Sequence, residues 1–269
     1  MPMKAFVDKK MKIGLFDSGI GGFSILSKLI KVIPSAEFFY FSDDKFAPYG
    51  PLTDEVISER ACVITDELLK KDVDIIIVAC NTATAASIDT LRSNYPSMTF
   101  VGVEPYLNAY YKMPEGSKNM VVLTTVSTGK SQRFRRLKEK LDPEGKIEQV
   151  GLKNLARLIE DYYHGRIDRN NFLIELSNEL DDVKKAHYTH AILGCTHYPL
   201  VALEIEEILK IPTISPCEYV AQRTKALLLE KVNNRELQLN SNDEFNFCSS
   251  QNNQWVVKNR QNFLHPFSL

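Results

Sequence analysis

The sequence predicts an α/β protein of two pseudo-symmetric lobes, each a mostly parallel sheet flanked by helices, with an active site in the cleft between them. Three observations predict this. Short apolar runs alternate with amphipathic helical stretches along the chain, the order expected of parallel strands covered by helices. The composition, 44% hydrophobic and 25% charged over 269 residues, suffices for one large core or two smaller ones. The third is an internal echo: Ile75-Ile76-Ile77-Val78-Ala79-Cys80-Asn81-Thr82 is similar to Ala191-Ile192-Leu193-Gly194-Cys195-Thr196-His197. Each is a buried-type strand ending in a small residue, then a cysteine, then hydrogen-bonding side chains, then a helix. Two halves of similar build would turn both strand ends, and both thiols, toward one cleft.

Apolar runs bounded by turn residues place strands over 12–16, 37–41, 73–79, 98–102, 119–124, 146–150 and 190–193, with weaker candidates over 212–214 and 244–248. Apolar residues at spacings of three and four place helices over 22–32, 53–71, 83–94, 131–141, 155–164, 170–185, 200–210 and 218–231. The chain is expected to cross between lobes near 103–106 and to return near 211–215. That gives a discontinuous first lobe, 12–104 plus 215–269, and a second lobe, 105–214. The stretch 233–254, rich in Asn, Gln and Ser, reads as surface loops around a short strand. In this fold class ligands sit beyond the carboxyl ends of the strands.

Composition also excludes. With 33 basic and 34 acidic side chains the net charge is −1, which argues against a broad nucleic-acid surface. The most basic run, from Lys130 to Lys140 with Arg133, Arg135, Arg136 and Lys138, reads as a solvated helix face. No apolar stretch approaches the roughly 18–20 residues of a membrane helix. Residues 1–10 lack the apolar segment of a signal peptide, so a cytoplasmic protein is expected, and Met11 could serve as an alternative start. The five cysteines, Cys62, Cys80, Cys195, Cys217 and Cys248, show no paired spacing and read as free thiols.

A cysteine between a strand end and a helix start lies near the positive helix pole and its unpaired N–H groups, both of which favour thiolate. Cys80 and Cys195 share that context. Cys62 and Cys248 read as packing residues, and Cys217 stays open. His197, two residues after Cys195, could hold a proton or fix the charge of that sulfur. Two nucleotide motifs fail. Gly19 and Gly21 fit a dinucleotide fingerprint, with Asp43 and Asp44 near its acidic position, but Ser24 stands at the third glycine and Asp17 would repel a pyrophosphate. Thr128-Gly129-Lys130-Ser131 lacks the leading glycine of a P-loop, since Thr124 stands there. Cys80, Cys195, His197 and Asp17 could form a zinc site, but without the usual ligand spacing.

Four motifs in order, Asp17-Ser18-Gly19-Ile20-Gly21-Gly22, Pro48-Tyr49-Gly50, Cys80-Asn81-Thr82-Ala83 and Gly194-Cys195-Thr196-His197-Tyr198-Pro199-Leu200, together resemble the glutamate racemase family of the cofactor-independent aspartate/glutamate racemases. The resemblance spans roughly residues 12 to 230. It implies racemisation without cofactor or metal: Cys80 would deprotonate D-glutamate and Cys195 would deprotonate L-glutamate, each thiol serving the opposite face. Opposite stereochemistry needs an acid and a base on opposite faces, and like groups exchange those roles on reversal. By the same resemblance Asp17, His197 and Glu160 assist the thiols. Ser18, Asn81, Thr82 and Thr196, with Asp17 and His197, contact the α-amino and α-carboxyl ends. Pro48, Tyr49 and Gly50 form a loop toward the side-chain carboxylate, and Thr125 and Thr128 form a nearby turn. A role supplying D-glutamate for peptidoglycan, and a homodimer, are implied in the same way.

The sequence departs from the family pattern at Pro51-Leu52, at Gly102-Val103-Glu104-Pro105, at Phe134 and at Ser215-Pro216-Cys217-Glu218, none of which touches the thiols. The alternatives are a racemase for aspartate or another amino acid, and a non-catalytic amino-acid-binding protein on this fold.

Overall fold

The computed structural model describes residues 10–114, 119–231 and 244–267. The chain opens with β1 (Lys12–Asp17), α1 (Phe23–Val32), β2 (Glu37–Ser42), a 3-10 turn (Asp44–Phe46), α2 (Asp54–Leu69), β3 (Ile75–Val78), α3 (Asn81–Asn94) and β4 (Phe100–Gly102). It continues with α4 (Ala109–Lys112), β5 (Met120–Thr125), α5 (Val126–Lys130), α6 (Gln132–Leu141), β6 (Ile147–Leu152), α7 (Leu155–Tyr163), α8 (Arg169–Glu179), α9 (Asp181–Lys184) and β7 (His190–Leu193). A 3-10 turn (Tyr198–Val201), α10 (Ala202–Leu209), β8 (Thr213–Ile214), α11 (Cys217–Lys231), β9 (Glu244–Ser249) and β10 (Trp255–Asn259) complete it.

The strands form two sheets, one ordered β10-β9-β2-β1-β3-β4 and the other β6-β5-β7-β8. Within the first, β2-β1-β3-β4 is all parallel and has the same connectivity as the second sheet, with β1 matching β5 and β3 matching β7. Strands covered on both faces read as unbroken apolar runs, which is why Ile75-Ile76-Ile77-Val78 and Ala191-Ile192-Leu193 are buried throughout. Leu15, Ile75, Ile77, Val121, Leu123 and Leu193 join one apolar cluster, so side chains from both sheets share a core. That shared core holds the carboxyl ends of β1, β3, β5 and β7 in a fixed relation.

Two expected helices, over 170–185 and 200–210, are each divided, and the helix expected over 131–141 is preceded by a separate short one, α5. Ser131 separates α5 from α6, its hydroxyl capping Phe134 N–H. Leu180 separates α8 from α9, and the 3-10 turn with Pro199 precedes α10 because proline suits a first turn and breaks a later one. Of the expected loop region, 233–243 lies outside the described residues. The rest carries β9, and a further strand, β10, follows the region and pairs antiparallel to β9. Arg260 ties this hairpin down by donating to the carbonyls of Glu244, Pro34 and Ala36. The basic run is partly internally compensated: Arg133 pairs with Glu104 and Asp89, and Lys138 faces Asp142. Among the described residues no helix is long and apolar enough to cross a membrane.

Candidate active site

Cys80 follows β3 by two residues and caps α3. Its sulfur accepts the Ala83 N–H at 3.4 Å and lies 4.0 Å from the Ser18 hydroxyl. The helix starts at Asn81, so the thiol stands at the positive pole as expected. Burial nonetheless pushes the Cys80 thiol up, and the Asp17 carboxylate pushes the same way against the Ala83 N–H.

Cys195 stands two residues beyond β7, the matching strand, but no α-helix begins there. The element that follows is the 3-10 turn Tyr198–Val201, so the helix-pole argument does not hold at this thiol. A side chain takes its place. His197 Nδ1 lies 3.8 Å from Cys195 Sγ, and His197 Nε2 donates to Glu160 Oε1 at 2.7 Å. The same Glu160 oxygen accepts the Ile20 N–H at 2.8 Å, and His164 Nε2 faces Oε2 at 3.4 Å. Burial opposes ionisation of Glu160, but these donors and the charge on His197 hold its carboxyl down at about 2. Burial alone would lower His197, yet Cys195 and Glu160 raise it well above the ordinary histidine range.

Asp17, at the end of β1, is fully buried behind the cavity wall. One oxygen accepts the Gly19 N–H and the other the Thr196 hydroxyl, both at 2.9 Å. Burial raises its pKa despite the nearby His197 charge and these two donors.

A cavity of about 490 Å³ lies against both thiols. Ser18, Asn81 and Thr82 line it from the β1 and β3 ends; Thr125, Glu160, Thr196 and His197 line it from the other sheet. The Pro48-Tyr49-Gly50 loop closes another side. Asp43 fixes that loop: it accepts the Tyr49 hydroxyl at 2.5 Å and two guanidinium N–H groups of Arg60 at 2.8 and 3.0 Å. Thus Asp43 anchors a loop where a nucleotide fingerprint would have it hold a ribose, while Asp44 accepts the Ser249 hydroxyl. Asn81 lines the cavity, and its Oδ1 is buried without a hydrogen-bond partner among the described residues.

Thr128 does not line this cavity. It is buried behind Thr82 and Thr125, its hydroxyl 3.1 and 3.0 Å from theirs, and it borders a smaller neighbouring crevice. The cavity also has lining residues that carry no motif: Arg157, Asp161, His164, Arg166 and Gln251. His164, four residues after Glu160 and so on the same side of α7, had a helical-spacing signal; Gln251 and Arg166 had none.

A cleft between two like-ordered parallel sheets, with one thiol at each matching strand end, defines the class. Residues 24–224 match the model of the Asp/Glu/Hydantoin racemase family, and the chain belongs to that family of isomerases. Its relatives include the glutamate racemase of Sulfurovum sp. (strain NBC37-1), 37% identical over 226 residues, covering 82% of this chain and 84% of the relative. The glutamate racemase of Clostridium acetobutylicum is 33% identical over 221 residues, with coverage of 82% and 85%. Among solved structures, Escherichia coli glutamate racemase in complex with L-glutamate and the activator UDP-MurNAc-ala superposes with a TM-score of 0.77 at 27% identity, over 90% of this chain and 89% of that one. A glutamate racemase isoform from Bacillus anthracis gives 0.75 at 27% identity, over 89% and 88%.

Proposed function

We propose that this chain interconverts L- and D-glutamate by a two-base mechanism. The observation that carries the reading is that Cys80 and Cys195, each two residues beyond a matching strand, line one cavity. The names of the relatives support glutamate as the substrate. Cys195 as thiolate takes the α-hydrogen of L-glutamate while Cys80 as thiol supplies a hydrogen from the other face; D-glutamate runs the same steps in reverse.

A carbanion formed without an electron sink needs electrostatic support. Asn81 Oδ1 and the Ser18 hydroxyl hold the α-ammonium, keeping its charge beside the reacting carbon. The Thr82 hydroxyl donates toward the α-carboxylate, with Thr125 and Thr196 beside it, and the Gly50 N–H toward the side-chain carboxylate. Asp17 and the His197–Glu160 pair set the charge of the thiols they adjoin, and Thr128 steadies Thr82 and Thr125 from behind.

The lobes that close on the substrate are 12–104 plus 215–269 and 105–214. The product serves peptidoglycan synthesis in the cytoplasm, and the working form is a homodimer.

The test is purified protein with L-glutamate in D₂O and no cofactor, followed by circular dichroism and by α-deuterium in proton NMR. Decay of ellipticity to zero with deuterium in the product is the expected result. Turnover of aspartate or another amino acid in place of glutamate would move the substrate assignment. Ligand-induced stabilisation with no exchange would make this a binding protein.

A further inference from the structure

We propose that Ser24 is a positioning residue for Cys195 and His197, its hydroxyl standing in for the backbone N–H that Pro199 removes from the loop carrying both. The proposal rests on the two-base reading above. That loop closes on itself through bonds spaced three residues apart: Tyr198 N–H donates to the Cys195 carbonyl at 3.1 Å, and Leu200 N–H to the His197 carbonyl at 3.0 Å. The middle member of the series would be an N–H at position 199 on the Thr196 carbonyl, and proline has none. Ser24, on α1, fills the gap: its hydroxyl donates to the Thr196 carbonyl at 2.8 Å. The Gly21 carbonyl lies equally near the same hydroxyl, but it already accepts the Ser24 N–H at 3.1 Å. Cys217, which opens α11, donates its S–H to Ser24 Oγ at 3.4 Å. Burial pushes that thiol up, which keeps its hydrogen in place to donate. The result is a buried run of donors, S–H to O–H to C=O, ending on the loop of the second thiol.

The Thr196 carbonyl and the His197 nitrogen share one planar peptide unit, so fixing the carbonyl fixes the directions in which both side chains leave it. One of them, the Thr196 hydroxyl, reaches Asp17 at 2.9 Å. The other, the His197 ring, reaches Cys195 at 3.8 Å and Glu160 at 2.7 Å. Space on the α1 side is already filled, since a Cβ on Gly21 would meet both His197 Nδ1 and Thr196 Oγ1. Without the Ser24 hydroxyl the buried Thr196 carbonyl loses its donor, and the peptide turns to find another. His197 turns with it, away from Cys195. Cys80 is spared, because its sulfur meets the Ser18 hydroxyl and the Ala83 N–H, neither of which Ser24 touches.

The experiment compares the full chain with Ser24→Ala, Pro199→Ala and the double variant, by two readouts. One is kcat from L- and from D-glutamate by circular dichroism; the other is the rate at which iodoacetamide alkylates Cys195 and Cys80 at pH 7, counted by peptide mass spectrometry. Ser24→Ala should lower kcat about tenfold or more in both directions. It should slow alkylation of Cys195 several-fold, through loss of the His197 charge, and leave Cys80 within about twofold of wild type. An alanine at 199 supplies an N–H to the Thr196 carbonyl, so adding Ser24→Ala to Pro199→Ala should cost less than about threefold on either readout. An equal cost of Ser24→Ala in both backgrounds, an unchanged kcat in Ser24→Ala, or a parallel change at both thiols would overturn the assignment. Should Ser24→Ala alone fail to fold, the double variant decides: folded, with Cys195 as reactive as in Pro199→Ala, it upholds the role, and unfolded where Pro199→Ala folds, it overturns it. Absence of glutamate turnover by the wild-type chain overturns the reading beneath, while the alkylation cycle still reports on the loop, which keeps the two failures apart.

Discussion

The Thr196 hydroxyl donates to Asp17 Oδ2 at 2.9 Å, joining the loop after β7 in one sheet to the end of β1 in the other. Asp17 is fully buried, so this bond closes the floor of the cavity where the carboxylate cannot turn to water. Removing the hydroxyl by Thr196→Val would strip a buried carboxylate of one of its two donors. We expect a loss of about 1–3 kcal/mol in unfolding free energy, measured by urea denaturation, together with weakened activity.

Substituting either thiol should abolish racemisation in both directions. Cys80→Ser and Cys195→Ser are expected to cut kcat by ~10²–10⁴ from L- and from D-glutamate, read by circular dichroism. Wild-type rates in both directions from either variant would reject the two-base assignment.

The Glu160–His197 pair gives a signed dependence of stability on pH. The folded carboxyl lies at about 2 against an ordinary 4.5, so its contribution is present above about 4.5 and lost as pH falls through 2. His197 is raised from 6.5, so its share is complete below 6.5 and lost as pH rises through its folded value. Glu160→Gln should therefore lower Tm most between these limits, by the equivalent of a few kcal/mol, with the gap from wild type shrinking toward pH 2. A gap constant from pH 7 to pH 2 would contradict the ionised assignment.

Two glycines leave room for this machinery. A Cβ on Gly19 would collide with Glu160 Oε1, and one on Gly21 with His197 Nδ1. Gly19→Ala and Gly21→Ala should each displace the partner of Cys195 and lower kcat by at least tenfold. Retained kcat in either variant would show that the pair can shift without cost.

Loop anchoring is separable from the chemistry. Asp43→Asn weakens the paired contacts that Arg60 and Tyr49 make with this carboxylate. The Pro48-Tyr49-Gly50 loop should loosen, raising KM for glutamate several-fold with a smaller change in kcat.

Much of this was legible in the sequence because parallel strands announce themselves. Ile75–Val78 and His190–Leu193 are short apolar runs with small residues after them, and the structure sets their ends within three residues of the expected ones. The strand β10 escaped because an edge strand needs only partial cover: Val256 and Val257 are exposed, and Trp255, edge-on to Phe39, is only half-buried. Motif residues reached the cavity wall where their own loop follows a strand end, as with Ser18 and Asn81. Thr128 did not, since its helical turn points it behind Thr125. Asp43 with Arg60, and His164 beside Glu160, are tertiary or i,i+4 relations that residue type alone does not announce.

The repeated strand order has a thermodynamic consequence. Mirror-image amino acids have equal free energies in water, so a racemisation ends at equal amounts whatever the protein does. The two matching strand ends carry two like sulfurs, but their settings differ: Asp17 and Ser18 beside one, His197 and Glu160 beside the other. Those differences cannot bias the final mixture. Under the two-base reading they fix which proton arrangement the empty cleft rests in, and hence which enantiomer meets a molecule already set to receive it.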